Sequence, residues 1–276
     1  MIKTHFQKEL LLTRPQGRRK SNTIREVLKI QSWLNLHEMA SPGTGLAVET
    51  DGDFGPATEA AVKVFQKNSG LVATGVVDRE TFGALSAPLR RAFSGLSPGG
   101  SLNQRTCHVA GLHLQNKPFE LEVGGETNCG PWVRSFMDGN DGSIWLWCMG
   151  FVQTAIDQAA SEMNVDFRDW MPHTYSCDTI GNFCLAKGAL VRNEEWKLDP
   201  ALANPGDVFL MRKSRYDWNH TGIIAGVEGQ TIRTIEGNTN HGGSRNGNGV
   251  YARIRNYHQS AIDLISLEKL TNNQFN

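Results

Sequence analysis

The sequence predicts an α+β protein: a small helical domain first, then a second domain in which helices precede an antiparallel sheet. Three observations carry this. Apolar residues recur at helical spacing in short stretches between Thr23 and Leu85. A longer stretch of the same period runs from Cys148 to about Met163, with Met149, Val152, Ile156, Ala159, Ala160 and Met163 on one face. After Asn204–Pro205–Gly206–Asp207 the pattern changes to short runs rich in β-branched residues, separated by turn residues. The 276 residues are 39% hydrophobic and 20% charged, enough for one large domain or two smaller ones. A formal net charge of zero supplies no basic field for nucleic acid. No apolar run approaches the roughly 20 residues of a membrane helix.

Residues 1–22 read as a polar lead-in. Its apolar core, Leu10–Leu11–Leu12, is shorter than the about 7–15 residues of a signal peptide, so a protein acting outside the cytoplasm would leave by another route. The first helix is expected over Ile24, Val27, Leu28, Trp33 and Leu34. Pro56 suits the first position of a second helix, which runs through Ala60, Ala61, Val64 and Phe65 and stops near Gly70. Asp78 is a good N-cap for a third, through Phe82 and Leu85. Asp51 and Asp53 lack the further ligands of a calcium loop and are expected in a turn. Residues 86–105 are rich in Gly, Ser and Pro and read as a flexible linker, so the domains are expected at 23–85 and 106–276.

In the second domain, Asn128–Cys129–Gly130–Pro131–Trp132 opens a short helical pattern, and a polar loop from Asp138 to Ser143 leads to the Cys148 helix. Residues 164–195 show no assignable pattern. Strands are expected at 208–211, 221–227, 231–236 and 250–254, with a last one within 262–269. Glu228–Gly229–Gln230 is a turn, so the strands on either side should form a hairpin.

Cys148 opens its helix, where free backbone N–H groups and the positive dipole end favour a thiolate. His220 and Glu236 stand about equally far from Glu228, so the hairpin places them near each other, and Asn238 falls on the same face as Glu236. A base with an orienting partner is what a nucleophilic thiol requires. A one-residue slip in register would separate them. Five cysteines allow one reactive thiol and up to two disulfides, with the pairing open. Cys129 is the rival nucleophile, but Gly130–Pro131 follows it. His173, Cys177 and Cys184 match no zinc spacing, and no metal or organic cofactor is expected.

Two resemblances extend this reading. Asp51–Gly52–Asp53–Phe54–Gly55–Pro56–Ala57–Thr58, then Val62–Lys63–Val64–Phe65–Gln66 and Thr74–Gly75–Val76–Val77–Asp78–Arg79–Glu80–Thr81–Phe82, resemble the bacterial three-helix peptidoglycan-binding domain, a non-catalytic module that holds enzymes at the cell wall. Asn128–Cys129–Gly130–Pro131, Trp147–Cys148–Met149–Gly150–Phe151–Val152, Pro205–Gly206–Asp207–Val208, His220–Thr221–Gly222–Ile223 and Glu236–Gly237–Asn238 resemble, in order, the CHAP family of cysteine, histidine-dependent amidohydrolases and peptidases. That resemblance implies a papain-like fold, with Cys148 as nucleophile, His220 as base, Glu236 orienting His220, and Asn238 as a further polar partner or substitute for Glu236. Together they imply a hydrolase whose partner is peptidoglycan, cutting an amide bond of the wall peptide in the periplasm or outside the producing cell. A phage endolysin and a secreted antibacterial effector with a cognate immunity protein are the two settings. The alternatives are a non-catalytic wall-binding protein with an inactive papain-like domain, and a zinc amidase.

Overall fold

The computed structural model describes residues 1–244 and 246–272. Helices open the chain: α1 (Phe6–Glu9), α2 (Ile24–Ala40), α3 (Pro56–Asn68), α4 (Arg79–Leu85), α5 (Ala87–Ser94) and α6 (Leu102–Gln115). A hairpin of β1 (Leu121–Val123) and β2 (Glu126–Cys129) precedes α7 (Pro131–Phe136), α8 (Cys148–Glu162) and α9 (Cys177–Ala186). Then come β3 (Leu190–Val191), α10 (Asn193–Trp196), β4 (Val208–Ser214), β5 (Asp217–Glu228), β6 (Thr231–Thr239), β7 (Gly249–Asn256), β8 (Ile262–Ile265) and α11 (Leu267–Asn272). The expected α+β class, helices before an antiparallel sheet, is what the chain adopts. No helix among the described residues is long and apolar enough to cross a membrane.

The chain divides into two compact units. A helical unit holds Thr4–Arg91 and Phe119–Trp145; a sheet unit holds Met1–Lys3, Ala92–Pro118 and the chain from Leu146. In the helical unit, α2 buries Val27, Ile30, Trp33 and Leu34, α3 buries Val62 and Phe65, and α4 buries Phe82 and Leu85. The local signals act as the sequence suggests. Pro56 is the first residue of α3, and the Asp78 carboxylate accepts the Thr81 N–H at 2.8 Å. Asp51 closes a turn, accepting from the Asp53 N–H at 2.8 Å and from Gln31 Nε2 at 2.7 Å. Residues 119–145, which the sequence places with the second domain, pack in this unit. The Trp132 ring lies edge-on to Trp33 at 6.2 Å, and Arg134 bridges Glu9 and Asp141.

The stretch read as a flexible linker, 86–105, is largely helical. Its Ser and Gly residues include the start signal of α6: Ser101 Oγ accepts the Gln104 N–H at 3.3 Å, while Gln104 Oε1 accepts the Ser101 N–H at 2.9 Å.

The sheet unit is built on six antiparallel strands in the order β3-β8-β4-β5-β6-β7. Helix α8 packs against β5 and β6, with α6 beside it. Every residue of α8 from Cys148 to Ala160 is buried, so it is a core helix rather than an amphipathic surface one. A further cluster gathers Trp196, Phe209, Ile224, Tyr257 and Leu264, with the Trp196 and Tyr257 rings stacked at 3.9 Å.

The β5–β6 hairpin sets the site's register. From the turn, Glu228 pairs with Thr231, Val227 with Ile232 and Gly226 with Arg233; beyond an irregularity, Ile224 pairs with Thr234 and Ile223 with Ile235. One extra residue, Ala225, is thus accommodated in β5. Without it the ladder would align His220 with Thr239 and put Glu236 on the opposite face; with it, His220 runs toward Asn238 and shares a face with Glu236.

Gly237 is where β6 comes closest to α8. A Cβ there would lie 2.7 Å from Phe151 Cβ and 3.0 Å from the Trp147 ring. Gly237→Ala therefore forces the helix off the strand, at a cost of about 1–3 kcal/mol. Urea unfolding followed by tryptophan fluorescence should show a lower midpoint with an unchanged slope. An unaltered midpoint would mean that this approach tolerates a methyl group.

Candidate active site

Cys148 is the first residue of α8, and the N-cap residue, Trp147, places no side-chain oxygen on the helix amides. The Met149 N–H is left to hydrogen-bond the Cys148 sulfur. His220 on β5 and Glu236 on β6 are both fully buried, and His220 Nε2 donates to Glu236 Oε2 at 2.9 Å. The carboxylate is held from its far side by Arg255 of β7, whose Nε donates to Oε1 at 2.6 Å and whose Nη2 donates to Oε2. The Thr234 hydroxyl donates to Oε1 as well. With Nε2 committed to Glu236, the buried Nδ1 of His220 has no conventional hydrogen bond and is the nitrogen left for the Cys148 thiol, with which the ring interacts.

This chain of contacts fixes the charges. Cys148 is held well below the ordinary thiol range by a hydrogen bond from the Cys177 thiol, then, against the opposing effect of burial, by the hydrogen bond and charge of His220 and by the Met149 N–H. Burial disfavours an imidazolium at His220, but its contacts with Cys148 and Glu236 outweigh this and raise it to about 9. Burial likewise opposes ionisation of Glu236, yet His220 and Arg255 bring it down to about 2. A thiolate–imidazolium pair is the favoured neutral-pH state.

The other four thiols are all shifted the opposite way. Burial raises Cys107 and Cys129, and pushes Cys184 up to about 12; contact with Cys148 together with burial raises Cys177. Cys129, the rival nucleophile, donates its S–H to the carbonyls of Glu126 and Thr127 and sits in the helical unit. All five cysteines are free thiols.

Of the four site residues named from the sequence, Cys148, His220 and Glu236 come together. Asn238 does not bond His220: its carboxamide oxygen accepts the Gly247 N–H at 3.1 Å, and it adopts a left-handed backbone with φ of 54°. Arg255 and Thr234 were not singled out from the sequence, and Cys177 entered there only as a rejected metal ligand and possible disulfide partner. Arg255 lies one residue beyond the expected end of its strand, and only the pairing of Ile232 with Arg255 brings it beside Glu236.

Cys148 opens onto a cavity of about 370 Å³ whose lining includes Tyr175, Cys177, Asp178, Lys213 and Trp218. A larger cavity, about 600 Å³, lies in the helical unit around Arg134 and Cys129 and is lined by no histidine. Among the described residues no three His, Cys, Asp or Glu side chains gather as a metal site.

Two outcomes test this electrostatic arrangement. A depressed carboxylate contributes stability that is complete above its unfolded value, roughly 4.3, and is lost as pH falls toward about 2. Arg255→Gln relieves the depression of Glu236, so acid unfolding should begin at higher pH, and stability at pH 7 should fall by about 3–5 kcal/mol because a buried charge loses its partner. An acid transition identical to wild type would dissociate Arg255 from Glu236. Second, iodoacetamide should modify Cys148 rapidly at pH 6, where an ordinary thiol with a pKa of about 8.5 is nearly inert; modification that tracks an ordinary thiol would remove the ion pair.

Comparison with known proteins matches only parts of the chain. The zinc D-Ala-D-Ala carboxypeptidase of Streptomyces albus G is 47% identical over 49 residues, which is 18% of this chain and 19% of that enzyme. The chain thus spans less than a fifth of the length of this curated relative. No solved structure matches the chain. No CHAP-family domain is matched either. Residues 25–85 match the family model described as "Putative peptidoglycan binding domain", so the chain carries an N-terminal peptidoglycan-binding domain.

Proposed function

We propose that the protein is a cysteine-dependent peptidoglycan hydrolase that cleaves an amide bond in the wall peptide, with Cys148 as nucleophile, His220 as acid and base, and Glu236 as the group that orients and charges His220. The observation that carries this reading is the buried Cys148–His220–Glu236 chain at the edge of an open cavity, in a chain that also bears a peptidoglycan-binding domain. The cavity wall offers both a cation, Lys213, and a carboxylate, Asp178, which suits a peptide carrying charges of both signs. The relative's printed name, a D-Ala-D-Ala carboxypeptidase, agrees with a wall peptide as substrate but concerns a zinc enzyme over a short match.

In this mechanism the Cys148 thiolate attacks the scissile carbonyl carbon, forming a C–S bond and a tetrahedral oxyanion. The Cys148 backbone N–H, at the start of α8, donates to that oxygen. His220 gives its proton to the departing amine as the C–N bond breaks, leaving a thioester on Cys148 and a neutral imidazole. The imidazole then takes a proton from water as the water attacks the thioester, which releases the carboxylic acid and restores the thiolate–imidazolium pair. Arg255 keeps Glu236 from competing for the His220 proton. In an effector setting the Cys148 cleft is where an immunity protein would bind; an endolysin needs no such partner.

The test is mass spectrometry of purified peptidoglycan digested with wild type and with Cys148→Ala. Wild type should release new muropeptides, and the variant none, a loss of at least about 10³-fold by analogy with other nucleophile deletions. Cleavage should resist chelators and decline above pH 9, as the His220 proton is lost. Equal cleavage by the variant, or loss of activity on chelation, would overturn the cysteine mechanism. Binding without cleavage by wild type on walls from several sources would support the non-catalytic alternative.

A further inference from the structure

The mechanism above uses one thiol of five, yet a second one touches it. Cys177 is the first residue of α9, as Cys148 is of α8; both side chains are buried, both line the same cavity, and each thiol acts on the ionisation of the other. Two helix N-termini therefore converge on one pair of sulfurs. Such an end favours negative charge on a nearby thiol, but two adjacent thiolates repel, so only one sulfur of the pair ionises.

The surroundings decide which. His220, backed by Glu236 and Arg255, interacts with Cys148. On the α9 side the neighbouring charge is the Asp178 carboxylate, which accepts the Trp218 N–H at 2.6 Å and disfavours a second anion at Cys177. Tyr175, on the same wall, and Lys213 of β4 complete the titratable groups lining the cavity. Cys148 thus takes the negative charge and Cys177 keeps its proton.

We propose that Cys177 is a positioning residue for the nucleophile: its S–H donates to the Cys148 thiolate, stabilising it in the reduced enzyme and holding the sulfur where the carbonyl must approach. Its consequence for catalysis rests on the hydrolase reading; its consequence for the ionisation of Cys148 does not. The direction of both shifts agrees, Cys148 downward and Cys177 upward. Cys177 also lies on the cavity wall, so the donor is present when substrate arrives and need not be recruited.

The full-length protein is reduced, treated with iodoacetamide between pH 4 and 10, and the modified Cys148 peptide is quantified by mass spectrometry in wild type, Cys177→Ala and Cys177→Ser. The alanine variant removes the donor together with the volume of the sulfur, while the serine variant keeps an O–H donor on a side chain of nearly the same size. Loss of one hydrogen bond to a charged sulfur should move the Cys148 profile up by about one to two pH units in Cys177→Ala, with most of the shift recovered in Cys177→Ser. On peptidoglycan the alanine variant should lose kcat, about tenfold or more at pH 6, with little change in KM. An unchanged profile in the alanine variant overturns the proposal, as does a serine variant shifted as far as alanine, which would reduce Cys177 to packing. If the alanine variant does not fold, a serine profile displaced by less than half a unit supports the donor role, and a displacement of one unit or more counts against it. Should the shift appear while wild type fails to cut peptidoglycan, the hydrolase reading falls and the role of Cys177 in ionising Cys148 stands.

Discussion

Placing a carboxylate where no water reaches it is the constraint around which the sheet unit is arranged. Glu236 is fully buried, and an isolated charge there would be expelled or neutralised. It stays ionised because Arg255 grips both oxygens from one side and His220 bonds from the other. Those partners come from three adjacent strands, so the charge network also fixes how β5, β6 and β7 lie against one another. The imidazolium is a consequence of the same arrangement. Against the effect of burial, contact with the Cys148 sulfur and with this carboxylate raises the His220 basicity to about 9, far enough to favour the ion pair with Cys148.

Backbone detail serves that network. The irregularity at Ala225 converts a register that would separate His220 from Glu236 into one that joins them. Gly222 sits opposite the carboxylate stem: a Cβ there would fall 2.8 Å from Glu236 Cγ and 2.7 Å from the Phe209 ring, which itself stacks beneath the Arg255 guanidinium at 5.6 Å. The small side chain and the extra residue have one effect in common, letting a long acidic side chain lie flat among its partners.

The sequence exposed these features unevenly, and the reason is range. Helices α2, α3, α4 and α8 were legible because period, caps and breakers act within a few residues. The hairpin was legible because its turn residues announce it, and with it came the proximity of His220 and Glu236. The bulge that makes the proximity real left no local mark. Helix α9 was hidden because residues 164–195 show no assignable local period; Gly181 within the helix marks a tertiary contact, since a Cβ there would meet the Trp218 ring at 2.6 Å. Residues 119–145 read as part of the second domain because nothing near Trp132 in sequence reveals its contact with Trp33. Arg255, and the place of Cys177 beside Cys148, were invisible for the same reason: each acts through a residue reached across the fold.

If the cavity beside Cys148 is the catalytic one proposed above, its size gives the N-terminal domain a purpose. About 370 Å³ admits a short stretch of peptide, with few contacts available to distinguish a cross-linked polymer from free peptides of like composition. Under the same proposal, a binding domain on the same chain would supply that discrimination through effective concentration rather than through new contacts at the reacting bond. Binding energy spent at a second site would leave the cavity free to favour the transition state instead of the ground state. Under the hydrolase proposal it also relaxes what the cleft must achieve alone, so that a thiolate, an imidazolium and a buried carboxylate would suffice for the chemistry, and the charges of Lys213 and Asp178 would need only to orient a peptide.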